Sequence, residues 1–247
     1  MARILLIETA TDVCSTAIAV DGTVVALAEA LDQPNHAATL TLLIEACTRQ
    51  AGIPLANLDA VAVSRGPGSY TSLRVGAAVA KGICYALDKP LIAVDTLLAL
   101  ASASMRDQGT GRTSDGPGVN NPLFYMPMLD ARRKEVWTAV FDHSLREVMP
   151  AQPLILEHDL FQYFLQNAPG VKPTGLLVLS GNGAKKISNG PVFENAVFSE
   201  PQVCSASHLA IIAEVCFQNV DFQDTAYFEP FYMKPPNITI SKKMTMG

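Results

Sequence analysis

Residues 65–74, with the sequence RGPGSYTSLR, are the stretch of the chain whose residue types could bind an anion. An apolar run at 60–63 predicts a buried strand before it, and the small-residue stretch at 75–87 predicts a helix after it. Gly66 and Gly68 allow the backbone angles of a tight strand-to-helix turn, and hydroxyl side chains follow that could cap the helix. Free N–H groups at such a helix start could bind a phosphate or a carboxylate.

The glycine turn does not match two common phosphate-binding motifs. A P-loop ends in Gly-Lys followed by Ser or Thr, whereas this turn continues into Thr71, Ser72 and Leu73. A dinucleotide-binding fingerprint has a third glycine at the position of Thr71. The spacing alone therefore also allows a purely structural turn that packs the helix closely on its strand.

Other chemistry is hard to place in the sequence. The histidines lie far apart, at positions 36, 143, 158 and 208, and no Gly-x-Ser-x-Gly motif of a serine hydrolase occurs. Glu8, Asp12 and Asp130 lie at predicted strand ends, where carboxylates could hold magnesium, orient a phosphate or only cap turns. The residues alone thus predict a nucleotide-type fold without recognisable catalytic groups.

Composition describes a chain that can bury a large core and carries little positive charge. Of its 247 residues, 49% are hydrophobic and 17% are charged, and the net charge of −5 argues against nucleic-acid binding by the chain alone. The five cysteines are isolated and mostly lie in apolar segments, which is typical of reduced, buried thiols. No apolar run reaches the ~18 residues of a membrane helix, so we expect a soluble cytoplasmic protein.

The order of the predicted elements indicates the fold class. Three strands come first, with a hairpin turn at Asp21-Gly22 between the second and the third. A helix capped by Asn35, the strand at 60–63, the helix after the glycine turn and a strand at 91–94 follow. This order favours a ribonuclease-H-like α/β lobe over a doubly wound nucleotide fold, which would place a helix directly after its first strand.

A polar segment divides the chain into two predicted domains. Residues 107–122 have almost no apolar side chains, so we expect a flexible linker at 106–122 between a first lobe, 1–105, and a smaller second lobe, 106–247. The elements expected in the second lobe are strands at 123–128, 135–141 and 176–179, a short helix at 160–165, a late helix around 209–217 and a frayed tail at 241–247.

Several segments together resemble the bacterial TsaB family, the non-catalytic partner in making threonylcarbamoyladenosine on tRNA. They are ILLIETAT at 4–11, GPGSYTSLR at 66–74, DAR at 130–132 with EVW at 135–137, and PFY at 230–232. Tyr70 stands where the family usually has Phe, and Ser72 where it usually has Gly. The turn residues that carry the family motif are Gly66, Pro67, Gly68, Ser69, Tyr70, Thr71 and Arg74.

The resemblance implies two ribonuclease-H-like lobes of the actin-like ATPase superfamily, with the second lobe reduced. The catalytic paralogue, TsaD, carries two metal-binding histidines one helical turn apart, just after the strand that follows the glycine helix. Thr96 and Leu100 stand at the matching positions here, and neither side chain can replace an imidazole ligand. The resemblance thus implies no catalytic residue, no metal and no resident cofactor, but it allows weak ATP or ADP binding at the junction of a complex.

The function implied by the resemblance is that of an accessory subunit. It would activate a TsaD-type catalytic subunit for threonylcarbamoyl transfer to adenosine 37 of tRNAs that read codons starting with adenine. A TsaE-type ATPase would dock at the junction, the chain would form a homodimer when its partner is absent, and it would not bind tRNA or a membrane directly. The alternatives are a self-associating regulator, and a protease or ATPase of the same fold.

The helix after the glycine turn has two apolar stripes on almost opposite sides, so one of them is expected to dock the partner. We assign the partner to the stripe that contains Ala80, which predicts that Ala80→Glu stays folded but cannot pair and that Val79→Glu unfolds. The residues predicted to contact the partner are Leu40, Leu43, Ile44 and Cys47 of the first helix, and Leu73, Ala77, Ala80 and Cys84 of the second.

Overall fold

Two five-stranded sheets form the frame of the computed structural model, which describes residues 1–31, 35–111, 123–157, 176–187, 196–200 and 202–234, without the side chains of 108–111. In the first sheet, β1, β2 and β3 are antiparallel neighbours, and β4 and β5 continue parallel to β1. The spatial order is β3-β2-β1-β4-β5. The strand bounds are Arg3–Glu8 for β1, Cys14–Val20 for β2, Thr23–Ala30 for β3, Ala60–Gly66 for β4 and Leu91–Asp95 for β5.

The second sheet repeats this arrangement, with the order β10-β9-β6-β7-β8. Here β6, β7 and β8 are antiparallel neighbours, while β9 and β10 run parallel to β6. The repetition confirms the prediction of two ribonuclease-H-like lobes. The second lobe keeps all five strands, so its sheet is not reduced. The bounds are Leu123–Asp130 for β6, Glu135–Asp142 for β7, Glu147–Ile155 for β8, Leu176–Ser180 for β9 and Ala196–Phe198 for β10.

Capping residues determine where several of the helices begin and end. The Asn35 side chain accepts a hydrogen bond from the Ala38 N–H, and Gly52 ends the first helix in the left-handed conformation. Asp95 caps the third helix by accepting hydrogen bonds from the N–H groups of Leu97 and Leu98. The bounds are His36–Ala51 for α1, Tyr70–Leu87 for α2, Thr96–Gly111 for α3 and Ala210–Gln218 for α4.

The helices cover the first sheet on both faces. α1 and α2 pack on one face around Leu5, Ile7 and Val63, and α4 packs on the other around Ile4 and Leu6. α3 lies between the lobes, because its Ala99 belongs to the core of the first sheet whereas other residues of the same helix pack against the second sheet. Of the cysteines, four are buried as predicted and Cys216 is half-buried.

The predicted domain boundary is wrong for the C-terminal segment. Residues 202–234 return to the first lobe: Ala210 and Ala213 of α4 are buried on its sheet, and Phe228 is buried on the opposite face. The Gln223 N–H also donates a hydrogen bond to the Leu91 carbonyl at the edge of that sheet. The small side chains of α4 permit this close packing, and the first lobe therefore contains both ends of the described chain.

The linker predicted at 106–122 begins too early, because α3 continues to Gly111. The apolar first half of α3 is buried between the lobes, which explains why the helix extends into a polar sequence. The remaining linker at 112–122, the helix predicted at 160–165 and the tail at 241–247 lie outside the described residues. Within the described ranges, no helix combines the length and hydropathy that a membrane crossing needs.

Candidate functional site in the cleft between the lobes

Four segments of the chain meet in a cleft of about 610 Å³ between the two lobes. All four overlap the motifs singled out in the sequence, since the fourth begins with Tyr232 of the PFY segment. The lining residues are 10–12 after β1, 68–71 at the start of α2, 129–132 at the end of β6 and 232–234 near the C-terminus, together with Trp137 and Asn182. The motifs of the family pattern, which are far apart in the sequence, therefore lie close together in the folded protein.

The glycine turn forms the first-lobe wall of the cleft. The Ser69 N–H donates a hydrogen bond of 2.7 Å to the Ala10 carbonyl, which joins the turn to the segment after β1. Gly66 has a positive φ of 108°, and a Cβ there would collide with the Phe231 carbonyl oxygen. α2 begins at Tyr70, five residues earlier than predicted, so its first turn lines the cleft.

The two departures from the family pattern make contacts of their own. The Tyr70 ring lies 4.5 Å from the Tyr232 ring, centroid to centroid, and its hydroxyl accepts a hydrogen bond from Arg74. The Ser72 hydroxyl donates a hydrogen bond of 3.0 Å to the Ser69 hydroxyl at the helix start. Both residues therefore fit the turn, and Tyr70 also attaches it to the C-terminal segment.

The second-lobe wall is a polar turn between β6 and β7. Asp130 accepts a hydrogen bond of 2.6 Å from the Lys186 ammonium, and its N–H donates to the Asn182 side chain. Both carboxylate oxygens of Glu135, at the start of β7, accept hydrogen bonds from the Lys234 ammonium, at 2.5 and 2.6 Å. These contacts tie the turn to β9 and to the C-terminal segment across the cleft.

The three carboxylates considered as ligands have different environments. Glu8 is buried and accepts hydrogen bonds from the Ala10 N–H and the Ser64 hydroxyl, and burial raises its pKa to about 7. Asp12 lines the cleft and is exposed, while Asp130 is paired with Lys186. Among the described residues, no group of three or more His, Cys, Asp or Glu side chains is placed to hold a metal ion.

Thr96 and Leu100, which the family resemblance places opposite the histidine pair of the catalytic paralogue, lie inside the protein. Thr96 begins α3 and Leu100 lies one turn later, and both side chains are fully buried. Leu100 packs with Leu129 and Val178 of the second lobe. The buried Thr96 hydroxyl and the Leu100 hydrocarbon side chain cannot replace a pair of imidazole ligands at a metal centre.

The residues predicted to contact a partner are in the wrong place for that role. Seven of the eight are buried, six of them in the core between the helices and the first sheet, and Leu43 is half-buried against that core. Both stripes of α2 are apolar and small, so hydropathy could not tell which one faces the sheet. The residues in this core are Leu40, Ile44, Cys47, Ala77, Ala80 and Cys84, while Leu73 is buried next to Gly66 of the glycine turn.

The exposed side of the two helices is different from the predicted one. On α2 it contains Ala78, Gly82 and Tyr85, whose side chain is 88% exposed, and on α1 it contains Leu42, which is 64% exposed, and Ala46. We call these five residues the helical face. The half-buried Val79 packs against the core from the side and does not point fully outward.

Sequence reasoning missed the residues that reach the cleft from unmarked segments. Asn182 lines the cleft from the turn after β9, Lys186 contacts Asp130 from the short 3-10 turn that follows, and Lys234 comes directly after Met233 behind the PFY segment. The PFY segment belongs to the family pattern, but that pattern contains no information on its distance from Asp130. Such contacts depend on the relative position of the two lobes.

Gly68 provides a stability test of the turn. An alanine Cβ there would lie 2.5 Å from the Ala10 carbonyl oxygen, where backbone must move. We expect Gly68→Ala to lower the free energy of unfolding by about 1–3 kcal/mol. Gly82→Ala is the control, since no atom lies within 4 Å of its Cβ and a helical alanine should stabilise by about 1 kcal/mol. Urea unfolding measures both, and equal effects would contradict the close contact.

Comparison with solved structures gives the class of fold. A Pseudomonas aeruginosa protein described as similar to peptidase YeaZ aligns with 95% of this chain and 100% of its own, with a TM-score of 0.77 and 23% identity. The chain thus has the two-lobed α/β fold of these YeaZ structures.

Sequence comparison gives the family. The profile described as "TsaD: tRNA N6-adenosine threonylcarbamoyltransferase" matches residues 30–238, and the chain belongs to this family. The Escherichia coli protein named "tRNA threonylcarbamoyladenosine biosynthesis protein TsaB" is 33% identical over 142 residues, which cover 58% of this chain and 56% of that protein. The Haemophilus influenzae protein of the same name is 36% identical over 144 residues, 58% of this chain and 54% of that protein.

These relatives confirm the predicted resemblance to TsaB proteins. The matched segment spans only slightly more than half of the length of each relative. Both relatives are named as biosynthesis proteins, whereas the family profile is named for a transferase.

Proposed function

We propose that the chain is a non-catalytic subunit in the synthesis of threonylcarbamoyladenosine on tRNA. It pairs with a TsaD-type catalytic subunit and activates threonylcarbamoyl transfer to adenosine 37 of tRNAs that read codons starting with adenine. A TsaE-type ATPase docks at the junction of the pair. The observation that carries the proposal is the combination of a TsaB-like sequence with Thr96 and Leu100, buried, at the positions of the paralogue's metal ligands.

The helical face supports docking of a partner through α1 and α2. The two helices lie side by side on the first sheet, and their outward surface exposes Leu42, Ala78, Gly82 and Tyr85. Small side chains let another helix approach closely, and the exposed Leu42 and Tyr85 side chains offer apolar area to such a contact. Two helices from each subunit would then form a four-helix contact.

Self-association is the expected state when the catalytic subunit is absent. A surface that is apolar enough to bind a partner can also bind a second copy through a two-fold axis. The chain would therefore form a homodimer through the helical face and exchange it for the heterodimer. This alternative use of the same surface retains the self-associating regulator as a second candidate function.

Reconstitution tests the proposed function directly. The TsaD-type and TsaE-type subunits, the threonylcarbamoyl donor, ATP and an unmodified tRNA are incubated with and without this chain, and the modified nucleoside is measured by mass spectrometry. We expect product to form at least tenfold faster with the chain present. Equal rates in both samples would overturn the accessory role. Product formed by this chain without the TsaD-type subunit would identify it as a catalyst instead.

A further inference from the structure

A cluster of positive side chains lies at the second-lobe mouth of the cleft, on a chain whose net charge is −5. The turn between β6 and β7 exposes three consecutive cations, and the 3-10 turn Ala184–Lys186 lies beside it through the Lys186 contacts with Asp130 and the Glu135 carbonyl. We call this cluster the basic turn. Its residues are Arg132, Arg133, Lys134, Lys185, Lys186 and Lys234.

Two carboxylates beside the basic turn are already neutralised by two of its lysines. Asp130 pairs with Lys186 at 2.6 Å, and Glu135 pairs with Lys234 at 2.5 Å. Within the described ranges, no carboxylate forms an ion pair with Arg132, Arg133 or Lys134, and all three residues are exposed. These three cations therefore face solvent with their charge available to an external anion.

Aromatic rings continue from the basic turn into the cleft. Trp137 lines the cleft on the strand that follows the turn, and its buried indole N–H has no hydrogen-bond partner in the described structure. The Tyr70 and Tyr232 rings line the same cleft from the first lobe, with their centroids 4.5 Å apart. Exposed cations next to a cleft lined by aromatic rings suit a nucleic acid, whose phosphates bind arginine and whose bases stack on aromatic rings, better than an acidic protein segment, which would use only the charges.

We propose that the basic turn binds the phosphate backbone of the tRNA substrate within the assembled complex. The inference rests on the proposed function, because it assigns a contact to the RNA that the complex modifies. Three accessible cations are too few for appreciable binding by the isolated, acidic chain at physiological salt. The contact becomes effective when the catalytic subunit has already brought the RNA close to the cleft.

The experiment exploits the backbone of the basic turn. Arg132 and Arg133 have positive φ angles of 70° and 50°, a conformation that Asn and Gly adopt more easily than Arg does. The double variant Arg132→Asn/Arg133→Gly therefore removes two charges while favouring the native turn. Arg132→Lys/Arg133→Lys is the matched control, since it keeps the charges. Thermal unfolding checks that both variants remain folded.

The readout is tRNA affinity in the reconstituted complex at several salt concentrations. For the charge-removing variant we expect KM for tRNA to rise about tenfold at physiological salt, with kcat and partner association unchanged. The slope of log affinity against log salt should fall by about 2, one for each lost phosphate contact. The charge-keeping control should stay within about threefold of the unsubstituted chain.

The outcomes separate this inference from the proposed function. If the unsubstituted chain fails to stimulate modification, the proposed function is wrong. If it stimulates modification but the charge-removing variant keeps the same KM and salt slope, the basic turn does not bind tRNA. An unchanged KM together with weaker binding of a partner subunit would mean that the basic turn binds an acidic protein surface, and would also overturn the inference.

Discussion

Ala80→Glu is expected to unfold the first lobe. The Ala80 side chain is fully buried between α2 and the first sheet, within the core that also contains Leu5, Val61 and Val63. A glutamate there would have to bury a carboxyl group without a partner and push α2 away from the sheet. We expect a loss of at least about 4 kcal/mol, a large part of the stability of an ordinary domain. Circular dichroism during urea unfolding measures it.

Ala78→Glu, two residues earlier on the same helix, is the matched variant. Ala78 is exposed on the helical face, so the free energy of unfolding should change by no more than about 0.5 kcal/mol. In a helix-to-helix contact between subunits, the glutamate carboxylate would lose its water without gaining an ion-pair partner. Sizing chromatography should therefore show a folded monomer that no longer pairs. Ala78→Ser should fold and pair normally.

Two results would contradict this assignment of faces. A folded Ala80→Glu protein would mean that α2 presents another side to the sheet. A folded Ala78→Glu protein that still pairs with the catalytic subunit or with a second copy would place the docking surface elsewhere. The outcome reverses the expectation from sequence, in which Ala80 was exposed and the stripe with Val79 faced the core.

The error on α2 has a physical cause. Both of its stripes are apolar and consist mostly of small side chains, so hydropathy does not distinguish the stripe that faces the sheet. The C-terminal segment adds to the ambiguity, because Phe228 packs into the same core and Lys81 donates hydrogen bonds to the carbonyls of Ala226 and Phe228. The contact between α2 and this segment, which is distant in the sequence, cannot be read from the hydropathy pattern of α2.

The elements that were predicted correctly depend on short-range signals. The hairpin at Asp21-Gly22 has positive φ angles of 49° and 73°, as a tight turn requires. The order of strands and helices predicted the first lobe, and the family motifs marked each of the four segments that line the cleft. The return of residues 202–234 could not be predicted, since it depends on packing between segments more than 100 residues apart.

The second large expected effect is a dependence of the free energy of unfolding on the ionisation of Glu8. Burial raises the pKa of this carboxyl to about 7, and the hydrogen bonds from Ala10 and Ser64 offset only part of that rise. The folded state therefore binds a proton more tightly than the unfolded chain. The contribution of the protonated Glu8 carboxyl to the free energy of unfolding is complete below about pH 4.5. It is lost as the pH rises through about 7, which lowers that free energy by about 3 kcal/mol.

The unsubstituted protein alone will not reveal this effect. Burial lowers the pKa of His208 to about 4, so the unfolded state binds more protons at that site between about pH 4 and 6.5. That difference makes stability rise with pH over the range in which the Glu8 contribution falls. The two trends oppose each other, and only a comparison of variants separates them.

Glu8→Gln isolates the carboxyl, because glutamine is close in shape to a protonated glutamate and cannot ionise. We expect the free energy of unfolding of the variant, relative to the unsubstituted protein, to increase by about 3 kcal/mol between pH 4.5 and pH 8, measured by urea unfolding at intervals of one pH unit. Ser64→Ala should shift the midpoint of this dependence to higher pH, since it removes a hydrogen bond that stabilises the charged form. A difference between Glu8→Gln and the unsubstituted protein that stays constant across this range would mean that Glu8 does not titrate as a buried acid.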